Sequence, residues 1–258
     1  MERVTSGDGT SIAYDRLGEG PAVVLVSGGS VDRSSNAPLA GELAPHFTVY
    51  NYDRRGRGPS TDTQPYAVQR EVEDIAAVIE AAGGSAHPFG SSSGAALALE
   101  AAAARLPIER LALWEPPYIV GDSRPRPVRD TASIYRALVA EDRRGDAVEY
   151  FMTQVVGLPA EFAAFARSQP WWANQQALAH TLAYDAEVMG DYALPERAGD
   201  VRVPTLIATG TASFPFLAET ADALAAAIPG AERRSLEGQE HNVAAEVLGR
   251  VLREFFEG

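Results

Sequence analysis

Ser92 is the residue whose neighbours are most typical of an enzymatic nucleophile. It is the centre of a Gly-Ser-Ser-Ser-Gly motif at residues 90–94, which has the form G-x-S-x-G. The apolar residues 86–89 predict a strand before the motif, and the Ala/Leu-rich residues 95–105 predict a helix after it. A Gly/Ser-rich turn can produce the pattern by chance, but its place between strand and helix favours a tight bend that presents the Ser92 hydroxyl for attack on a carbonyl carbon.

A serine hydroxyl is a poor nucleophile at neutral pH and needs a base within hydrogen-bond distance. The chain has four histidines, which are His46, His87, His180 and His241. His46 precedes a predicted strand, His87 lies inside one, and His180 lies in a helical pattern, so a packed or partly exposed side chain accounts for each of them. His241 follows the polar residues 237–240 and opens the last predicted helix.

Composition excludes several other kinds of chemistry. The chain has no Cys and no Lys, which removes thiol nucleophiles, disulfides, Cys-based metal sites and lysine Schiff bases. The net charge of −13 opposes binding to a phosphate backbone, so we expect no nucleic acid partner. Two short arginine clusters are expected to be solvated surface charge: Arg54, Arg55 and Arg57, and then Arg124, Arg126 and Arg129.

The chain also lacks the signals of a membrane protein. Its apolar stretches are far shorter than the roughly 20 residues of a membrane span, and residues 1–5 contain no apolar signal region. We therefore expect a cytoplasmic protein that acts on a small molecule, with no membrane partner, no metal and no organic cofactor. The sequence leaves the oligomeric state open.

Eight short stretches have the apolar or alternating pattern of β-strands, and several of the stretches between them have helical spacing. Strands that alternate with helices predict an α/β fold with a mostly parallel eight-stranded sheet and helices on both faces. The predicted strands are residues 4–6, 12–16, 22–26, 47–52, 86–89, 111–114, 205–209 and 233–236, and the helices between them are 69–82, 95–105, 218–227 and 243–256.

The alternation stops between Pro116 and Arg202, where four helical patterns follow one another at residues 134–140, 147–155, 160–167 and 173–184. A stretch of about 80 residues is too long for a structureless loop, so it predicts an all-helical lid. We expect a core of residues 1–117 and 203–258 and a lid of residues 118–202. Five residues of this lid are predicted to line the substrate pocket, although packing of the lid on the core would also explain them: Tyr118, Trp171, Trp172, His180 and Tyr184.

Together with the Ser92 motif, three further motifs resemble the α/β-hydrolase superfamily, in its small lidded esterase and perhydrolase-like branch. Residues 53–60 (Asp-Arg-Arg-Gly-Arg-Gly-Pro-Ser) resemble the D-x-R-G-x-G-x-S turn, Ser27-Gly28-Gly29 stands at the oxyanion loop, and His241 matches the catalytic histidine. The likeness covers nearly the whole chain. It implies an α/β-hydrolase fold in which Ser92 is the nucleophile, His241 is the base, and the backbone amides of Gly29 and Ser93 form the oxyanion hole.

The acid of the triad departs from the common pattern. Relatives carry G-x-x-D after the strand at 205–209, whereas this chain has Ser213 at the position of the acid. The superfamily also accepts an acid one strand earlier, and Glu115 stands there, at the end of the strand 111–114. We therefore expect Glu115 to orient His241, with Glu240 and Asp122 as weaker candidates.

The expected activity is hydrolysis of a carboxylic ester, lactone or thioester of a small, apolar substrate through an acyl-enzyme on Ser92. Two alternatives share the fold. One is a tailoring enzyme, a lyase or cyclase, that uses His241 as a general base on a natural product. The other is a receptor that binds a small molecule without turnover.

Overall fold

The structure is a computed structural model that describes residues 1–122 and 124–258. In these residues eight strands form one sheet in the spatial order β1-β2-β4-β3-β5-β6-β7-β8. The β1–β2 and β2–β4 pairs are antiparallel and all the others are parallel, which confirms the predicted mostly parallel eight-stranded sheet. The strands are β1 (Glu2–Thr5), β2 (Ser11–Leu17), β3 (Ala22–Val26), β4 (Thr48–Tyr52), β5 (His87–Ser91), β6 (Leu111–Trp114), β7 (Thr205–Gly210) and β8 (Glu232–Leu236).

The α-helices lie near the predicted positions, but the first helix was not predicted, and the single pattern predicted at residues 173–184 is divided into two helices, Trp172–Leu178 and Leu182–Met189, by a 3₁₀ turn. The short helix α1 has no clear period in the sequence; a 3₁₀ turn at Arg33–Asn36, capped by the Asp32 side chain, leads into it, and a proline stands in its first turn. The helices are α1 (Ala37–Leu43), α2 (Val68–Ala81), α3 (Ser93–Ala103), α4 (Thr131–Ala140), α5 (Arg144–Tyr150), α6 (Ala160–Arg167), α7 (Trp172–Leu178), α8 (Leu182–Met189), α9 (Pro215–Ala227) and α10 (Ala245–Glu257).

Strand β3 shows how the sheet is covered on both faces. Val24 and Val26 pack in an apolar core with residues of α2, α3 and α9, whereas Val23 and Leu25 pack in a second core with residues of α1 and α10. Side chains alternate between the two faces of a strand, so a strand that is apolar at every position is buried on both sides. The prediction of helices on both faces is therefore confirmed.

Residues 115–204, which we call the cap segment, connect β6 to β7 and contain helices α4 to α8, with no strand among the residues that are described there. The cap segment has an apolar cluster of its own, which includes Tyr135, Met152 and Trp172. A π-helical turn at Phe151–Val156 directly follows α5 and ends at Gly157. The division of the chain into a core and a lid at residues 118 and 202 stays a prediction.

The prediction that the first arginine cluster lies on the surface was wrong. Arg54, Arg55 and Arg57 are all buried, and a carboxylate pairs with each of them. A buried guanidinium is tolerated only when its charge and its hydrogen bonds are compensated, and the compensating acids lie far away in the sequence. Of the second cluster, Arg126 and Arg129 are exposed as expected, whereas Arg124 is half-buried, with its guanidinium 4.8 Å from the centre of the Phe216 ring.

None of the helices in residues 1–122 and 124–258 combines the length and apolar character needed to cross a lipid bilayer.

Candidate active site

Ser92 stands at a sharp bend between β5 and α3. Its backbone has φ 55° and ψ −126°, a conformation that side chains rarely adopt and that is concentrated at functional sites. The two glycines of the motif make this bend possible. A Cβ atom at Gly90 would lie 2.4 Å from the carbonyl oxygen of Gly94, and one at Gly94 would lie 2.4 Å from the carbonyl oxygen of Ser27. The G-x-S-x-G spacing is therefore a steric requirement of this turn.

The His241 ring is held by Glu115. Nδ1 of His241 lies 2.6 Å from Oε2 of Glu115, whose side chain is fully buried at the end of β6. Because a carboxylate oxygen accepts hydrogen bonds, Nδ1 donates the proton and Nε2 is the basic nitrogen of the ring. The indole Nε1–H of Trp114 donates to the carbonyl oxygen of His241 at 2.9 Å, which also fixes the loop that carries the ring.

The surroundings of Glu115 explain why it points at the histidine. Its Oε1 accepts a hydrogen bond from the backbone N–H of Gly210 at 2.8 Å, and its Oε2 accepts one from the hydroxyl of Ser213, also at 2.8 Å. The backbone of Glu115 has φ 47°, a left-handed value that bends the chain at the end of β6. Ser213, at the position where an acid was the common expectation, thus donates a hydrogen bond to the Glu115 carboxylate instead.

The other candidate acids lie elsewhere. Glu240 and Asp122 are exposed, and in the part of the chain that the structure describes the carboxylate in contact with the His241 ring is that of Glu115. Asp53 is buried and accepts hydrogen bonds from the backbone N–H and the guanidinium of Arg33.

The two predicted oxyanion-hole residues lie beside Ser92. Ser93 is the first residue of α3, so its backbone N–H is one of the free donors at a helix N-terminus. The loop of residues 27–31 after β3 passes Ser92 closely, since a Cβ atom at Gly28 would lie 3.1 Å from the Cβ of Ser92. Gly29 and Ser93 line the same cavity as Ser92 and His241.

This cavity has a volume of about 780 Å³, within the range of small-molecule sites. Its wall is mostly apolar, and three segments supply much of it: the residues after β6, the π-helical turn of the cap segment, and the loop after β7 together with the first turn of α9. Apolar wall residues from these segments are Ile119, Phe151, Met152, Val155, Phe214 and Phe216. Among residues 1–122 and 124–258, no group of three or more His, Asp or Glu side chains is placed to hold a metal ion.

The structure does not bring the five predicted substrate-binding residues into this cavity, because none of them belongs to its wall. Trp172 packs inside the cap segment and Trp171 is 39% exposed. Tyr184 stacks on Tyr66 with ring centres 4.0 Å apart, and His180 meets the edge of Tyr184 at 6.3 Å. Tyr118 is buried among core residues.

Asp185 is a functional candidate that the sequence did not indicate. This carboxylate of α8 is buried, lines the cavity and accepts a hydrogen bond from the Ser93 hydroxyl at 2.8 Å. Burial alone would raise the pKa of Asp185, but the positive charges of Arg57 and Arg54 lower that pKa below its usual value. A single acid in a helical stretch has no pattern that marks it; the arginine-rich turn at 53–60 was the available signal.

Comparison with known proteins places this arrangement in a family. The model of the alpha/beta hydrolase family matches residues 23–249. The chain belongs to the alpha/beta hydrolase family. The crystal structure of an alpha/beta hydrolase from Sphaerobacter thermophilus DSM 20745 is 54% identical, covers 99% of this chain and 100% of that one, and superposes with a TM-score of 0.94.

Two further relatives are more distant. A pimeloyl-[acyl-carrier protein] methyl ester esterase of Xanthomonas campestris pv. campestris (strain B100) is 33% identical over 159 residues. That match spans 60% of this chain and only 59% of the esterase. The enol-lactonase from Burkholderia xenovorans LB400 is 21% identical over the full length of both chains, with a TM-score of 0.77, and shares the fold of this member of the family.

Proposed function

We propose that this protein is a serine hydrolase that cleaves a carboxylic ester, lactone or thioester of a small, mostly apolar substrate. One observation carries the proposal. Ser92, at its strained bend, and His241, whose ring is held by the buried Glu115 at 2.6 Å, face one apolar cavity. A nucleophile, a base and an oriented carboxylate are the groups that acyl transfer requires.

The proposed reaction has two halves. The hydroxyl oxygen of Ser92 attacks the substrate carbonyl while Nε2 of His241 takes its proton, and Glu115 stabilises the imidazolium that forms. The backbone N–H groups of Gly29 and Ser93 bind the oxyanion. The carbon–oxygen or carbon–sulfur bond then breaks, and the leaving alcohol or thiol takes the proton from His241. Water, deprotonated by His241, attacks the Ser92 ester and releases the acid.

The relatives support the class of substrate. One relative is named as a methyl ester esterase and the other as an enol-lactonase. A methyl ester and a lactone both contain a carboxylic ester bond. The apolar wall of the cavity, with aromatic residues such as Phe214 and Phe216, fits a hydrocarbon acyl or alcohol group better than a charged one.

Labelling with a fluorophosphonate probe tests the proposal, since the probe modifies an activated serine. The wild type should be labelled, and Ser92→Ala should not. Ser85→Ala is the matched control, because Ser85 lies two residues before β5 begins, at the opposite end of the strand from Ser92, and its hydroxyl donates a hydrogen bond to Glu109. Equal labelling of the wild type and Ser92→Ala would contradict the proposal. A Ser92→Ala enzyme that still converts its substrate, together with an inactive His241→Ala, would support the general-base alternative instead.

A further inference from the structure

The peptide unit between Gly28 and Gly29 is held from its carbonyl side by a buried arginine. Nη1 of Arg57 donates to the carbonyl oxygen of Gly28, and it also donates to the carbonyl oxygen of Val31 at 3.2 Å. In a planar trans peptide the C=O and the following N–H point in opposite directions. The hydrogen bond from Arg57 therefore sets the direction of the Gly29 N–H, which is one of the two proposed oxyanion donors.

Ser93, the residue of the second proposed donor, is connected to Arg57 through the carboxylate of Asp185. The hydroxyl of Ser93 donates to Oδ1 of Asp185 at 2.8 Å, and Nη2 of Arg57 donates to both oxygens of Asp185 at 2.9 and 2.8 Å. Asp185 also packs directly against the loop, because a Cβ atom at Gly29 would lie 3.1 Å from its Oδ2. One carboxylate thus connects both halves of the oxyanion hole.

The charges of this network balance in the buried interior. Arg54 donates to Asp185 at 2.7 Å and forms a two-pronged pair with Glu71 at 2.8 and 2.7 Å. Two guanidinium groups therefore face two carboxylates, and all four side chains are almost completely buried. The loss of one member of this network leaves an uncompensated buried charge.

We propose that Arg57 and Asp185 are positioning residues of the oxyanion hole, an inference that rests on the proposed function. Hydrogen-bond donors stabilise an oxyanion best when they are aimed before the reaction begins. Asp185 belongs to α8, so the cap segment takes part in aiming both donors. A second contact joins the same parts, since the Gln175 side chain of α7 donates to the carbonyl oxygen of Ser30 at 3.0 Å.

Steady-state kinetics on a p-nitrophenyl ester tests this role with Arg57→Gln and Asp185→Asn. We expect kcat to fall about 10- to 100-fold, less than the 10²–10³-fold loss that follows removal of an oxyanion donor, with KM nearly constant. A trifluoromethyl ketone, which forms a hemiketal oxyanion on Ser92, should lose affinity by the same factor as kcat/KM.

Arg55→Gln is the matched control for loss of a buried arginine. Arg55 lies in the same turn and is equally buried, but it pairs with Asp74 and Asp8 and has no hydrogen bond to the loop 27–31 or to Asp185 in the part of the chain that is described. If Arg55→Gln and Arg57→Gln lose the same kcat, or if only KM changes, the positioning role is wrong.

The proposal stays testable if a variant does not fold or if the wild type hydrolyses no ester. Asp185→Asn keeps the volume of the side chain and replaces Arg57→Gln if the latter is unfolded. If Ser92 is not labelled and no ester reacts, the proposed function fails by itself. A crystal structure of the folded variant then decides the positioning role, which predicts a rotated Gly28–Gly29 peptide and is overturned by an unchanged one.

Discussion

Replacement of Glu115 by glutamine gives the sharpest test of how the proposed triad is held. Glu115 accepts three hydrogen bonds, from His241 Nδ1 at 2.6 Å, from the Gly210 N–H at 2.8 Å and from the Ser213 hydroxyl at 2.8 Å. Glutamine keeps the shape but offers only one acceptor oxygen. If that oxygen stays with Gly210, the amide NH₂ faces Nδ1 of His241.

An NH₂ group at that position forces Nδ1 to accept, so the ring proton moves to Nε2 and His241 can no longer take the proton of Ser92. Loss of the triad acid with preserved geometry costs about 10⁴-fold in kcat. At 1.36 kcal/mol for each factor of ten, this is about 5.4 kcal/mol of transition-state stabilisation. KM should change little, because Glu115 is not part of the cavity wall.

The assay measures kcat of the wild type and of Glu115→Gln on an activated ester, and circular dichroism verifies that the variant is folded. Glu240→Gln is the matched control, since Glu240 is adjacent to His241 in the sequence, is exposed, and should keep wild-type activity when changed. A loss smaller than about 10-fold for Glu115→Gln would refute the assignment of the acid. An equal loss of kcat in Glu240→Gln would refute the geometry on which that assignment rests.

Three other predictions follow from local geometry. Ser213→Ala removes one hydrogen bond of about 1 kcal/mol from the Glu115 carboxylate and should lower kcat about 5-fold, measured on the same ester. Gly94→Ala places a Cβ 2.4 Å from two backbone oxygens and should lower the free energy of unfolding in urea by about 3 kcal/mol, whereas Gly41→Ala, in open space, should not. Burial lowers the pKa of His87 below its ordinary 6.5, so unfolded chains bind this proton more readily and stability should fall as the pH drops below about 6.5. His87→Gln should reduce that slope in urea titrations at pH 7.5 and 5.5; an unchanged slope would contradict it.

The local patterns of the sequence predicted the sheet and the bend at Ser92 well. Apolar strands such as β3 and β6 were predicted with the bounds that the structure gives them, because a buried parallel strand has a short, continuous apolar pattern. The contact between His241 and Glu115 was also foreseeable, since Ser213 at the usual acid position left the end of β6 as the alternative. That Glu115 acts in catalysis remains a prediction.

The wall of the cavity and the buried charges could not be foreseen. Trp171 and Trp172 have the same local pattern as residues that line a pocket, but which side chains reach the cavity depends on how the cap helices pack. The burial of Arg57 depends on Asp185, which lies 128 positions away. Pairing over such a distance has no local signature, so an arginine-rich turn is read as surface charge.

The location of Glu115 directly after β6 has a consequence for how specificity can diverge. The segment after β7 does not supply the carboxylate that contacts the His241 ring. Its loop residue Phe214 and Phe216, in the first turn of α9, contribute to the cavity wall instead. Substitution of its aromatic residues leaves the position of Glu115 unchanged. Ser213 is the side chain of that loop that donates a hydrogen bond to the Glu115 carboxylate. Libraries aimed at new acyl groups would therefore begin at position 216, because the Phe214 ring also packs against the ring of His241, with ring centres 6.5 Å apart.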